Sequence, residues 1–149
     1  MRMRTLLFVG RRNAARSVMA ETCFNAAGIA GWRAFSAGWQ TQNSVDRQAL
    51  AVLEANGFAT DALSSKPVAI FRQAGAPGID YCVFLDDILP PDIADYPGPR
   101  DYWRIADPSL DAGRGAAYQA ALAEISRQVA LLAVSGRLLE LAPELAIAS

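Results

Sequence analysis

Residues 4–9, RTLLFV, constrain the fold more than any other stretch. Side chains on a strand alternate between faces, so a run that is apolar at consecutive positions has to be buried on both sides. That is the environment of an inner strand in a parallel sheet. The run passes through GRRN (10–13) directly into AARSVMAETCFNAAG (14–28), which places Val18, Met19, Cys23, Phe24 and Ala27 on one helical face and offers Gly28 as a stop. A strand feeding straight into a helix is the first half of a crossover unit.

The rest of the chain repeats the alternation. WRAFSAG (32–38) reads as a strand closed by Gly38 and the polar QTQNS. Ser44 or Asp46 can cap the next helix, which turns Leu50, Leu53 and Val52 inward before Asn56-Gly57 ends it. IDYCVFLDD (79–87) is a third apolar strand, RDYWRIAD (100–107) a weaker fourth, and the proline-rich ILPPDIADYPGP between them a loop. Residues 114–134 carry Tyr118, Leu122, Ile125, Val129 and Leu132 at spacings of four and three, which predicts a helix packed on the sheet. The pattern is α/β, with right-handed crossovers, helices covering the sheet, and ligands at the carboxyl ends of the strands.

Composition narrows the function. A chain of 149 residues suits a single domain, here 1–149, with its core in about 4–134 and an apolar tail at 135–149. A net charge of -1 argues against a nucleic-acid binder, so an anion site would have to be local. With no histidine and only Cys23 and Cys82, far apart in sequence, neither a metal centre nor Ser-His-Asp chemistry is expected. Arg137, Glu140, Pro143 and Glu144 interrupt the apolar C-terminal stretch, so no membrane span is expected, and the N-terminal run is too short for a leader. A cytoplasmic protein is the expectation.

The loop after the first strand carries the chemistry. A helix N-terminus presents unpaired N–H groups and the positive end of its dipole, and anions are favoured there. Asn13 tolerates the left-handed conformation that a curled loop requires, and Arg16 can fork two donors onto an oxyanion.

NAARSVMAE (13–21), LLFV before it, FSAG (35–38), SKPV (65–68) and DYWRIADPS (101–109) occur in an order that resembles the low-molecular-weight protein tyrosine phosphatases, and within that superfamily is most similar to the thioredoxin-coupled arsenate reductases. The resemblance implies a three-layer doubly wound sandwich about a four-stranded parallel sheet of order 2-1-3-4. It also implies an anion loop made of Arg11, Arg12, Asn13, Ala14, Ala15, Arg16 and Ser17, and a general acid at Asp107, before Pro108. In the family's pattern of Cys, five residues, Arg, Ser, the cysteine position falls on Gly10, which cannot form a covalent intermediate. A resolving cysteine near the end of the third strand is replaced by FLDD, with aspartate near that position.

These substitutions predict a pseudoenzyme that binds an oxyanion (phosphate, arsenate, sulfate or a phosphorylated residue) without turnover. The alternative is an active tyrosine phosphatase or arsenate reductase with an unrecognised nucleophile. Removing a thiolate relieves a like-charge repulsion of about 4 kcal/mol at about 4 Å, and Arg11 and Arg12 add charge to a cradle left without a counter-ion. The expected partner is a phosphate-like anion or a phosphorylated protein, with no cofactor, and a homodimer through the tail is a further reading. Asp107 could equally cap the following turn, and Trp39, Tyr102 and Trp103 could wall the site or pack in the core.

Overall fold

A computed structural model describes residues 2–41, 44–86, 96–112 and 114–143. Four parallel strands, β1 (Arg4–Val9), β2 (Trp32–Ala37), β3 (Tyr81–Phe84) and β4 (Arg100–Tyr102), form one sheet in the order β2-β1-β3-β4. β1 lies between two partners: Val9 pairs with Ala37 on one side and with Phe84 on the other. Its last five residues are buried, as the consecutive apolar run requires.

Alternate side chains of β1 serve two cores. Leu6 and Phe8 face the helices α1 (Arg16–Ala26), α2 (Arg47–Ala55) and α3 (Arg114–Val134), together with Met19, Phe24, Leu53, Leu122 and Ile125. Leu7 and Val9 face the opposite layer with Cys82, Phe84 and Val68, the last from a 3₁₀ turn at Val68–Arg72. Each fully buried apolar side chain of this size contributes about 1.5–3 kcal/mol, so both faces hold β1 in register.

The sequence places most elements correctly and misjudges their extent. α1 is buried over most of its circumference from Ser17 to Phe24, because the sheet and α3 enclose it. Ala27 lies beyond the helix and is exposed, and Gly28 follows at a positive φ of 63°. Asp46 is the residue that caps α2, its carboxylate accepting from Gln48 N–H at 2.8 Å. Leu50 is only half-buried while Ala49 is fully buried, since the short helix offers a narrow inner face.

β3 and β4 are shorter than the sequence suggests. Trp103 leaves the ladder after its N–H bonds Phe84 carbonyl at 3.0 Å. Most of the proline-rich loop lies outside the described residues. All five inward positions of α3 are buried. Beyond it, α4 (Arg137–Leu141) returns Leu138, and then Ala142, to the larger core, so part of the apolar tail is occupied in packing.

Candidate functional site

Where β1 ends, the chain is pinned on both sides: Gly10 N–H donates to Ala37 carbonyl at 3.1 Å, and Leu85 N–H donates to Val9 carbonyl at 2.9 Å. The loop then curls, Asn13 N–H reaching back to Gly10 carbonyl at 3.3 Å. Asn13 has a φ of 49°, the only positive value for a non-glycine residue among those described. Its buried side chain fixes the curl from both ends: Oδ1 accepts from Lys66 N–H at 2.6 Å, and Nδ2 donates to Ser17 Oγ at 2.9 Å.

A second brace explains why SKPV belongs to the pattern. Gly38 N–H bonds Lys66 carbonyl at 2.9 Å, Val68 N–H bonds Gly38 carbonyl at 2.8 Å, and Ser65 Oγ donates to Arg12 carbonyl at 3.1 Å. The loop rests on Gly38 itself. A Cβ there would lie 2.4 Å from Gly10 carbonyl oxygen, 2.6 Å from that of Arg11 and 2.8 Å from Asn13 nitrogen, all of them backbone atoms. Only glycine permits so close an approach.

The braced loop forms one wall of a cleft of about 200 Å³, lined by residues 10–17 with Asp46, Asp86, Asp107, Ser109 and Leu110. All seven predicted anion-binding residues meet there, together with Gly10 and Asp107. Arg11 and Arg12 are exposed and make no ion pair among the described residues. No side chain caps α1, and the N–H groups of Arg12, Ala14, Ala15, Arg16 and Ser17 find no acceptor among the described residues. The cleft therefore presents a bank of donors at the positive end of a helix.

Arg16 is already paired with a carboxylate. Its guanidinium does not open onto the cleft as a free fork: Nη1 donates to Leu85 carbonyl at 2.9 Å and Ile105 carbonyl at 3.0 Å, while Nη2 donates to Asp86 Oδ1 at 2.8 Å. Asp107 lies farther off, at 3.8 Å. The other oxygen of Asp86 accepts from Arg11 N–H at 2.8 Å. A carboxylate from the end of β3 thus sits on two of the donors expected to hold a ligand, and the expectation of a cradle without a counter-ion is corrected. In the sequence this aspartate stands out only as the residue near a missing cysteine; the signal it offered was its position two residues past the end of β3, a strand that adjoins β1.

Asp107 plays the capping role. Its Oδ1 accepts from Ser109 N–H at 3.0 Å and from Ser109 Oγ at 2.7 Å. Burial alone would raise its carboxyl, but these hydrogen bonds and the fields of Arg16 and Arg12 outweigh burial and hold it below the usual carboxylate range. An acid held ionised in this way is a poor proton donor in the unliganded cleft.

Neither cysteine reaches the loop's chemistry. Cys23 is buried against Ser126, its thiol pushed up by burial and only partly offset by that contact. Cys82 lies inside β3, with its thiol pushed up to about 12 by burial. Ser17 Oγ accepts from the Asn13 amide and is hydrogen-bonded to no base among the described residues. The aromatic residues are also excluded from the cleft lining: Trp103 packs on Phe8, Tyr102 stacks on Phe84, and Trp39 joins the smaller core. Leu110, 78% exposed, is the apolar group at the rim.

The family model described as low molecular weight phosphotyrosine protein phosphatase matches residues 5–140, from β1 through α4. The chain belongs to that family. Among solved structures, this phosphatase-family chain is similar to an arsenate reductase from Archaeoglobus fulgidus (29% identity, TM-score 0.70, covering 86% of this chain and 98% of that one). It is also similar to a structure described as an arsenate reductase in the phosphate binding state (24% identity, TM-score 0.71, covering 89% and 98%). A low molecular weight protein tyrosine phosphatase from T. tengcongensis shares the fold at 23% identity and a TM-score of 0.63, covering 87% of this chain and 97% of that one. No curated protein sequence gives a significant match. Among the described residues, no helix is long and apolar enough to cross a membrane.

Proposed function

We propose that this member of the low molecular weight phosphatase family binds a tetrahedral oxyanion, such as inorganic phosphate, arsenate, sulfate or a phosphorylated side chain, in the loop from Gly10 to Ser17, and does not turn it over. The observation that carries the reading is a donor-rich loop with glycine at its base. Five backbone N–H groups lack acceptors among the described residues, Arg11 and Arg12 line the same cleft, and glycine stands at the base of the loop, where the family pattern has cysteine. A Cβ at residue 10 would have Ser17 Oγ at 3.3 Å and Asp86 Oδ2 at 3.9 Å, so a side chain starting there would enter the space the loop encloses.

Calorimetric titration with inorganic phosphate tests the binding. Saturable binding is expected, weakened at least tenfold in the double variant Arg11→Ala/Arg12→Ala, whose exposed side chains can be removed without touching the core. Arg16 is unsuited to this purpose, because it also ties Leu85 and Ile105 together. Hydrolysis of p-nitrophenyl phosphate that is lost in the Arg11→Ala/Arg12→Ala variant would overturn the non-catalytic reading, and absence of any phosphate binding would overturn the site itself.

A further inference from the structure

We infer that Asp86 is a built-in competitor for the anion loop, which sets how tightly the loop binds and biases it against ligands of high negative charge. The inference rests on the oxyanion-binding reading above and specifies the selectivity of that site. Both carboxylate oxygens are engaged, Oδ2 by Arg11 N–H and Oδ1 by Arg16 Nη2, each at 2.8 Å. One donor belongs to the loop backbone and the other to its arginine, so the carboxylate occupies donors that an incoming oxyanion would otherwise receive.

Its placement is rigid. Leu85, the residue before it, donates its N–H to Val9 carbonyl at 2.9 Å and accepts from Arg16 through its own carbonyl, also at 2.9 Å. The carboxylate is therefore aimed at the loop from a backbone pinned to the central strand, and its side chain is only 18% exposed. Charge bookkeeping over the cleft points the same way. Its lining holds three arginines (Arg11, Arg12, Arg16) and three aspartates (Asp46, Asp86, Asp107). Asp46 is committed to Gln48 N–H and the Tyr118 hydroxyl, and Asp107 to Ser109. Asp86 is the one hydrogen-bonded to the anion donors, whereas Asp107 approaches Arg16 only to 3.8 Å.

Repulsion between a fixed charge and a ligand is linear in the ligand's charge. Neutralising Asp86 should therefore favour a dianion over a monoanion by a defined relation: the fold-change in affinity for the dianion is about the square of that for the monoanion. Asp86→Asn keeps the shape and an acceptor for Arg11 N–H while removing the charge; Asp86→Ser repeats the comparison with a smaller side chain if the amide disturbs Arg16.

The experiment titrates the wild-type protein and both variants with sulfate and with nitrate at one pH and constant ionic strength, with melting curves to confirm folding. The expected result is sulfate binding at least tenfold tighter in the variants, with nitrate gaining about the square root of that factor. Wild-type binding that is unchanged or weaker in the folded variants would overturn the inference and leave the anion site standing. Failure of all three proteins to bind either anion would overturn both readings.

Discussion

Placing a cysteine at residue 10 tests the electrostatics of the loop directly. The added Cβ would meet Ser17 Oγ at 3.3 Å, Ser17 Cβ at 3.4 Å and Asp86 Oδ2 at 3.9 Å, so Gly10→Cys fits if the serine yields by a few tenths of an ångström. With sulfur and carboxylate about 4 Å apart at an effective dielectric of about 20, the repulsion is about 4 kcal/mol. At 1.36 kcal/mol per pH unit, the thiol midpoint rises by up to about three units from about 8.5, before any offset from the helix N-terminus. The single variant should therefore be alkylated by iodoacetamide at neutral pH at least tenfold more slowly than Gly10→Cys/Asp86→Asn. Mass spectrometry isolates the new thiol, because Cys23 and Cys82 are buried. The pH profile supplies the midpoints: above 9 in the single variant, and at least one unit lower in the double. A single variant that titrates below pH 7, with no further drop on removing the Asp86 charge, would refute the reasoning.

Gly38→Ala forces a methyl group against three backbone atoms at 2.4–2.8 Å and should destabilise the fold by about 1–3 kcal/mol; a denaturant midpoint equal to wild type would contradict the close approach. Asp107 has its carboxyl held low, so its contribution to stability is present above the unfolded value and is lost as pH falls through the folded one. NMR titration should place its midpoint below 3.8, the unperturbed carboxylate value, and Ser109→Ala should move it upward; a midpoint insensitive to that change would remove Ser109 as the cause.

The fold was legible because its strongest signals are local. The run RTLLFV needs two covered faces wherever it sits, and the four-three spacing from Tyr118 to Leu132 needs one. Asn13 was readable for the same reason, since few residues other than glycine adopt a positive φ cheaply. What the sequence obscured are contacts made by position rather than by residue type. Gly38 looks like an ordinary strand exit, and its role appears only when the loop from β1 lies across it. Leu138 and Ala142 look like tail, but the chain reverses at Gly136, whose φ is 83°, and returns them to the core. The Arg16–Asp86 pair joins residues 70 positions apart in sequence, and no periodicity announces it.

The same pair balances the charge of the loop, which we propose binds an anion, without a fixed negative group at its base. An arginine that is only 11% exposed, beside N–H groups that find no acceptor among the described residues, concentrates positive potential in a small volume and favours an anion there. In a loop with cysteine at its base, a thiolate can answer that potential from within. With glycine at residue 10, the answering charge comes from the neighbouring strand, as the Asp86 carboxylate bonded to the loop at Arg11 and Arg16. Gly10 and Asp86 are thus two parts of one arrangement: the glycine leaves the loop floor without a side chain, and the aspartate keeps Arg16 paired when no ligand is bound. A cysteine introduced at residue 10 alone would crowd two anions into one cradle, so the charge at residue 86 has to be changed together with the side chain at residue 10.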